Sequence, residues 1–130
     1  MSKLASYIEN NRHLRNLDLQ WLQAGSLLGI TPLLEVLAGN RRLRSVNLSW
    51  NILNRTASLS AEEILSQQDW AADQLVSLVK YNKKLMHLDL SNTGLTTLMF
   101  NKFVAVWNKV MSLVSCHFSG NPFVLEIEDY

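Results

Sequence analysis

An eleven-residue phrase is written four times in this chain, and that repetition restricts the possible folds more than any other feature. "LRNLDLQWLQA" (14–24), "LRSVNLSWNIL" (43–53), "LMHLDLSNTGL" (85–95) and "LVSCHFSGNPF" (113–123) align on their first leucine. The steps between Leu14, Leu43, Leu85 and Leu113 are 29, 42 and 28 residues, so the long step is a normal one carrying about 13 more. Place four of the phrase holds Leu17, Val46, Leu88 and Cys116; place six holds Leu19, Leu48, Leu90 and Phe118. Apolar residues two apart predict a short strand with one buried face.

The residues before each phrase repeat as well. Ten places ahead of the leucine stand Leu4, Leu33, Leu75 and Phe103; seven ahead stand Tyr7, Val36, Leu78 and Val106; six ahead stand Ile8, Leu37, Val79 and Trp107. Spacings of three and four are the apolar stripe of a helix. Three ahead stand Asn11, Asn40 and Asn82, then Val110. Each unit therefore reads helix, short loop, strand, loop. Such a unit cannot bury its apolar face alone, and stacking neighbours creates a continuous core. The expected fold class is α/β: a solenoid with a curved parallel β-sheet inside and α-helices outside, forming a single domain over 1–130. Its repeats span about 1–24, 25–53, 70–95 and 96–123, with an insertion at about 52–70 and an acidic tail at 124–130.

The pattern resembles the leucine-rich repeat family in its ribonuclease-inhibitor-like subtype. "LRSVNLSWNIL" and "LMHLDLSNTGL" carry the motif most fully; the first copy departs at place nine, where Leu22 stands in place of the usual Asn. The resemblance implies a preformed binding surface and non-catalytic protein recognition. Its settings range from receptors and adaptors to parts of large assemblies.

Composition excludes several classes. The 130 residues carry a formal net charge of +1 and are 48% hydrophobic, so bulk charge does not point to nucleic acid and the chain has the apolar content of a folded domain. No apolar run approaches the ~18 residues of a spanning helix, and the opening "MSKLASYIENN" has no signal-peptide core. The single cysteine, Cys116, forms no intrachain disulfide, which argues for an intracellular, cytoplasmic setting. The sequons at Asn47 and Asn54 are the contrary signal. No phosphate loop, H-E-x-x-H, paired-cysteine ligand set or nucleophile–base–orienter set is written, so no enzyme, metal or cofactor is expected.

Candidate partner-binding residues lie on and beside the strands. Place five offers Asp18, Asn47, Asp89 and His117; place three includes His87; place two includes Arg15 and Arg44. Places two, three, five and seven are expected on the open sheet face or its edges. Trp21 and Trp50 share place eight in adjacent units, either as interface anchors or as rings folded over the core rim. Trp107 falls in a helix core column, and Trp70 closes the insertion. Just ahead of the strands run Arg12, Arg41, Arg42, Lys83 and Lys84, with His13. With Arg15 and Arg44 they are seven of the twelve Lys and Arg residues. Such a rim steers an acidic surface, a phosphate-rich ligand or a nucleic acid backbone, or serves solubility alone. It lacks interleaved aromatics, which argues against nucleic acid. Seven of the eleven acids lie elsewhere: Glu62, Glu63, Asp69, Asp73, Glu126, Glu128 and Asp129.

Two further expectations concern the ends and the insertion. Ser2 is an N-cap candidate, and no capping unit with a polar outer face is evident, so a segment or subunit of a larger assembly, associating through uncapped ends, is expected. "SAEE" from Ser60 has the form of a capping box, which predicts a short helix over "AEEILSQQDW".

Overall fold

A computed structural model of the chain describes residues 2–22, 27–51, 58–109 and 112–122. Among them, four helices alternate with four strands: α1 (Ser2–Asn10), β1 (Asn16–Asp18), α2 (Leu27–Gly39), β2 (Ser45–Asn47), α3 (Ala61–Tyr81), β3 (His87–Asp89), α4 (Thr97–Trp107) and β4 (Ser115–His117). The strands form one all-parallel sheet in the order β1-β2-β3-β4. Leu17, Val46, Leu88 and Cys116 stand opposite one another, so the pairing register is the register of the repeated phrase.

The helix columns and the inward strand residues meet in one core. Ile8, Leu33, Leu37, Leu75, Leu78 and Phe103 pack with Leu48, Leu88, Leu90 and Leu95. Each helix packs on the next in chain order, as each strand does. The Asn column closes the first three helices into their strands. Asn11 Oδ1 accepts the backbone N–H groups of His13 (2.9 Å) and Leu14 (3.0 Å). Asn40 accepts those of Arg42 (2.7 Å) and Leu43 (2.9 Å), and Asn82 those of Lys84 (2.9 Å) and Leu85 (2.8 Å). This is an Asx turn used three times. Asn82 also donates Nδ2 to the Leu37 carbonyl at 2.7 Å, tying the third unit to the second. In the fourth unit Trp107 Nε1 donates to the Leu113 carbonyl at 3.0 Å, fastening helix to strand without an asparagine.

The insertion folds differently from a separate short helix. Ser60 does build the capping box: its hydroxyl accepts from Glu63 N–H at 3.2 Å, and Glu63 Oε2 accepts from Ser60 N–H at 2.7 Å. These bonds, the backbone one first, hold the Glu63 carboxyl below its usual range. From there the helix runs unbroken for 21 residues into the third unit, because no Gly or Pro interrupts it and Trp70, Ala71 and Ala72 pack on the core. Ser60→Ala is expected to destabilise the fold by about 1 kcal/mol, read by chemical denaturation. Lys102 pairs with Asp69 and, at 3.7 Å, with Asp73, joining α4 to α3 on the surface.

The positions expected at Ala24, Leu53, Asn54, Val110, Phe123 and the acids of 124–130 lie outside the described residues, as does the Ser2 side chain.

Candidate functional site

The turn after each strand places the most unusual side chains. Trp21 and Trp50 have φ of 57° and 60°; at the same place in later units Asn92 has φ 55° and Gly120 has φ 70°. All four units thus need left-handed backbone at place eight. Glycine and asparagine adopt it readily, while a bulky L-residue is strained there by roughly 1–2 kcal/mol. Two units obey that preference and two violate it with tryptophan. The indoles stack on each other, with ring centroids 4.8 Å apart and planes within 10°. They remain 59% and 45% exposed, so the rings are not folded into the core. In the later units the column is small: a Cβ on Gly120 would clash with the Asn92 side chain.

Beneath this column runs a second one of hydrogen bonds. Asn51, at place nine and buried, donates Nδ2 to the carbonyls of Leu19 and Leu48, both at 2.8 Å, and accepts from Leu22 N–H at 3.0 Å. Asn121 does the same for the preceding unit, donating to Leu90 and Phe118 and accepting from Thr93 and Leu95. Each asparagine fastens its own turn to the one before. Thr93 instead turns its hydroxyl to its own Leu90 carbonyl at 2.8 Å. The first unit's Leu22 supplies the N–H that Asn51 accepts.

The place-five residues have a local task as well as a surface position. Asp18, Asn47 and Asp89 each accept, through Oδ1, the backbone N–H two residues on, at 3.1, 2.9 and 2.8 Å. The oxygens that were candidates for partner contacts therefore already fold the strand end into its turn. Asn47 is half-buried in the sheet. Place seven departs from expectation: Ser49 and Ser91, which follow the two central strands and have a unit on either side, are buried, while Gln20 and Ser119, which follow the edge strands, are exposed.

His87 and Ser115 face one another across β3 and β4, with Nδ1 and Oγ 3.0 Å apart. His117 is exposed beside Asp89 in register. No group of three His, Cys, Asp or Glu residues among the described ones is arranged to hold a metal ion. Cys116 packs against the core, where burial, and then the Asp89 charge, push its thiol well above the usual range, so the thiolate that would make it reactive is suppressed.

The basic rim lies at the opposite end of the strands. Arg12, Arg15, Arg41, Arg42, Lys83 and Lys84 are exposed. Arg44 is half-buried and spends its Nη1 on the carbonyls of Arg41, Arg42 and Leu43, at 3.1–3.4 Å. These cations follow the C-terminal ends of α1, α2 and α3, where the helix dipole favours positive charge.

The sequence showed Trp21 and Trp50 as a pair but not their strain or stacking. The signal was present in the same column, since Asn92 and Gly120 are residues that favour positive φ. The asparagines at Asn11, Asn40 and Asn82 were visible as a recurrence, and Asn51 and Asn121 share place nine of the phrase, in neither case with an assigned task. No helix among the described residues is long and apolar enough to cross a membrane. No protein-family model matches the chain, and no curated protein matches it in sequence.

Proposed function

We propose that the chain is a non-catalytic protein-recognition scaffold, a leucine-rich-repeat solenoid of the ribonuclease-inhibitor-like kind, whose stacked Trp21–Trp50 pair anchors a partner protein. One observation carries the reading: two exposed tryptophans occupy strained left-handed positions where the same fold elsewhere uses Asn92 and Gly120. Strain held at a surface position is a mark of a working site. Aromatic rings that are already stacked lose little freedom on docking and are the residues most enriched at interface hot spots. Asp18 and Asn47, on the strands that lead into the two turns, are the polar groups nearest the anchor in the chain; Asp89, His87 and His117 extend the polar surface along the sheet, and Arg15 and Arg44 stand at the far end of the strands. The single cysteine, partly buried and without a disulfide partner, supports an intracellular, cytoplasmic setting.

The exposed cations favour a second reading, in which the rim of Arg12, Arg41, Arg42, Lys83 and Lys84 binds a polyanion. Affinity capture with the wild-type chain, a Trp21→Gly/Trp50→Asn variant and a Lys83→Glu/Lys84→Glu variant, each across a salt series, separates the two. Loss of a discrete partner with the tryptophan variant at all salt concentrations supports the scaffold. Loss with the lysine variant and steep salt dependence would favour the polyanion reading. Indifference to both would leave only a structural spacer.

A further inference from the structure

A groove of about 620 Å³ runs between the C-terminal halves of α2 and α3. Leu34, Ala38 and Tyr81 give it an apolar wall, and Tyr81 is 63% exposed with Lys80 Nζ 5.6 Å from its ring centroid. Arg41, Lys83 and Lys84 line its end, against the single carboxylate of Glu35. These three cations are exposed and have no ion-pair partner among the described residues. The neighbouring groove between α1 and α2 shares Arg41 but sets both Glu9 and Glu35 against its arginines and has less apolar wall.

We propose that the α2–α3 groove docks an extended peptide that alternates apolar and acidic side chains. An extended chain sends alternate side chains to opposite sides, so one set meets the apolar wall while the other reaches the three cations. A uniformly charged polymer fits less well. Its charges would meet Glu35 and the electronegative C-terminal ends of α2 and α3 along the groove, and it would leave the apolar wall unpaired. The volume suits a few side chains of a peptide rather than a duplex. The site is separate from the tryptophan pair, which lies at the other end of the strands.

Gly39 supplies the means to test it. It lines the groove, its φ is not left-handed, and an added Cβ would meet nothing within 4 Å. Gly39 also lines the neighbouring α1–α2 groove, so a larger side chain there crowds the border the two grooves share without straining the backbone. The chain itself writes the alternation at Leu125, Glu126, Ile127 and Glu128, so the probe is the synthetic peptide V-L-E-I-E-D-Y, labelled for fluorescence anisotropy against the full chain. The expected result is saturable binding, weakened at least tenfold by Gly39→Leu and by Lys83→Glu/Lys84→Glu, with thermal unfolding checked for each. Trp21→Gly/Trp50→Asn should leave peptide affinity unchanged. Equal affinity for polyglutamate of the same charge would overturn the proposal, as would full-strength binding by either a folded Gly39→Leu chain or the lysine variant.

Discussion

Asn51→Ala is expected to lower the free energy of unfolding by about 3–5 kcal/mol, among the largest losses available to any single substitution in this chain. The side chain is 5% exposed and makes its bonds in both directions. Removing it leaves the Leu19 and Leu48 carbonyls and the Leu22 N–H without their partner. Each buried backbone group left unpaired costs about 1–3 kcal/mol. The residual cavity adds to this, because the turns of the first two units then share one contact fewer. Asn121→Ala repeats the experiment at a half-buried site, where water can replace part of the lost bonding, and should cost less. Urea denaturation of the two variants checks both the size and the order. A loss below about 1 kcal/mol at Asn51 would mean that water substitutes for the amide.

The second large effect is on binding and leaves stability nearly intact. Trp21→Gly/Trp50→Asn installs residues that suit positive φ, the residues the later units use at Gly120 and Asn92. Relief of roughly 1–2 kcal/mol of backbone strain per site offsets the loss of stacking, about 0.5–1.5 kcal/mol, and of partial ring burial. The net stability change is expected to stay within about 2 kcal/mol, well below that of Asn51→Ala. Partner affinity should fall about a thousand-fold, since each anchor removed from an interface centre costs about 2 kcal/mol or more. A variant that unfolds readily would place the rings in the architecture instead of the interface.

Much of the fold was legible because the hydrophobic columns repeat with the period of their elements. Leu17, Val46, Leu88 and Cys116 stand opposite one another in the sheet as they stand opposite one another in the aligned phrases. Helical spacing placed Ile8, Leu37 and Val79 in the core, where they are buried. The helix after Ser60 was legible in its cap and not in its length, because a local signal marks where a helix begins while only packing decides how far it continues. The candidate site was less legible. Apolar periodicity reports what is buried, and says nothing of whether Asp18 or Asp89 spends its oxygen on a turn or on a partner. Backbone sign at Trp21 and Trp50 is signalled only by their column mates Asn92 and Gly120, against the preference of tryptophan itself. The grooves beside Gly39 depend on three elements distant in sequence, and no single stretch announces them.

Site-specific photo-crosslinking asks whether the stacked tryptophans meet a partner. A photoreactive phenylalanine analogue at position 20, exposed beside both rings, is compared with one at position 98, exposed on α4. Native extract supplies the partner. An anchoring role for the rings requires a discrete crosslinked species from position 20 that is absent from position 98 and disappears when Trp21→Gly/Trp50→Asn is introduced. The same species from both positions, or one that survives loss of the rings, would contradict it.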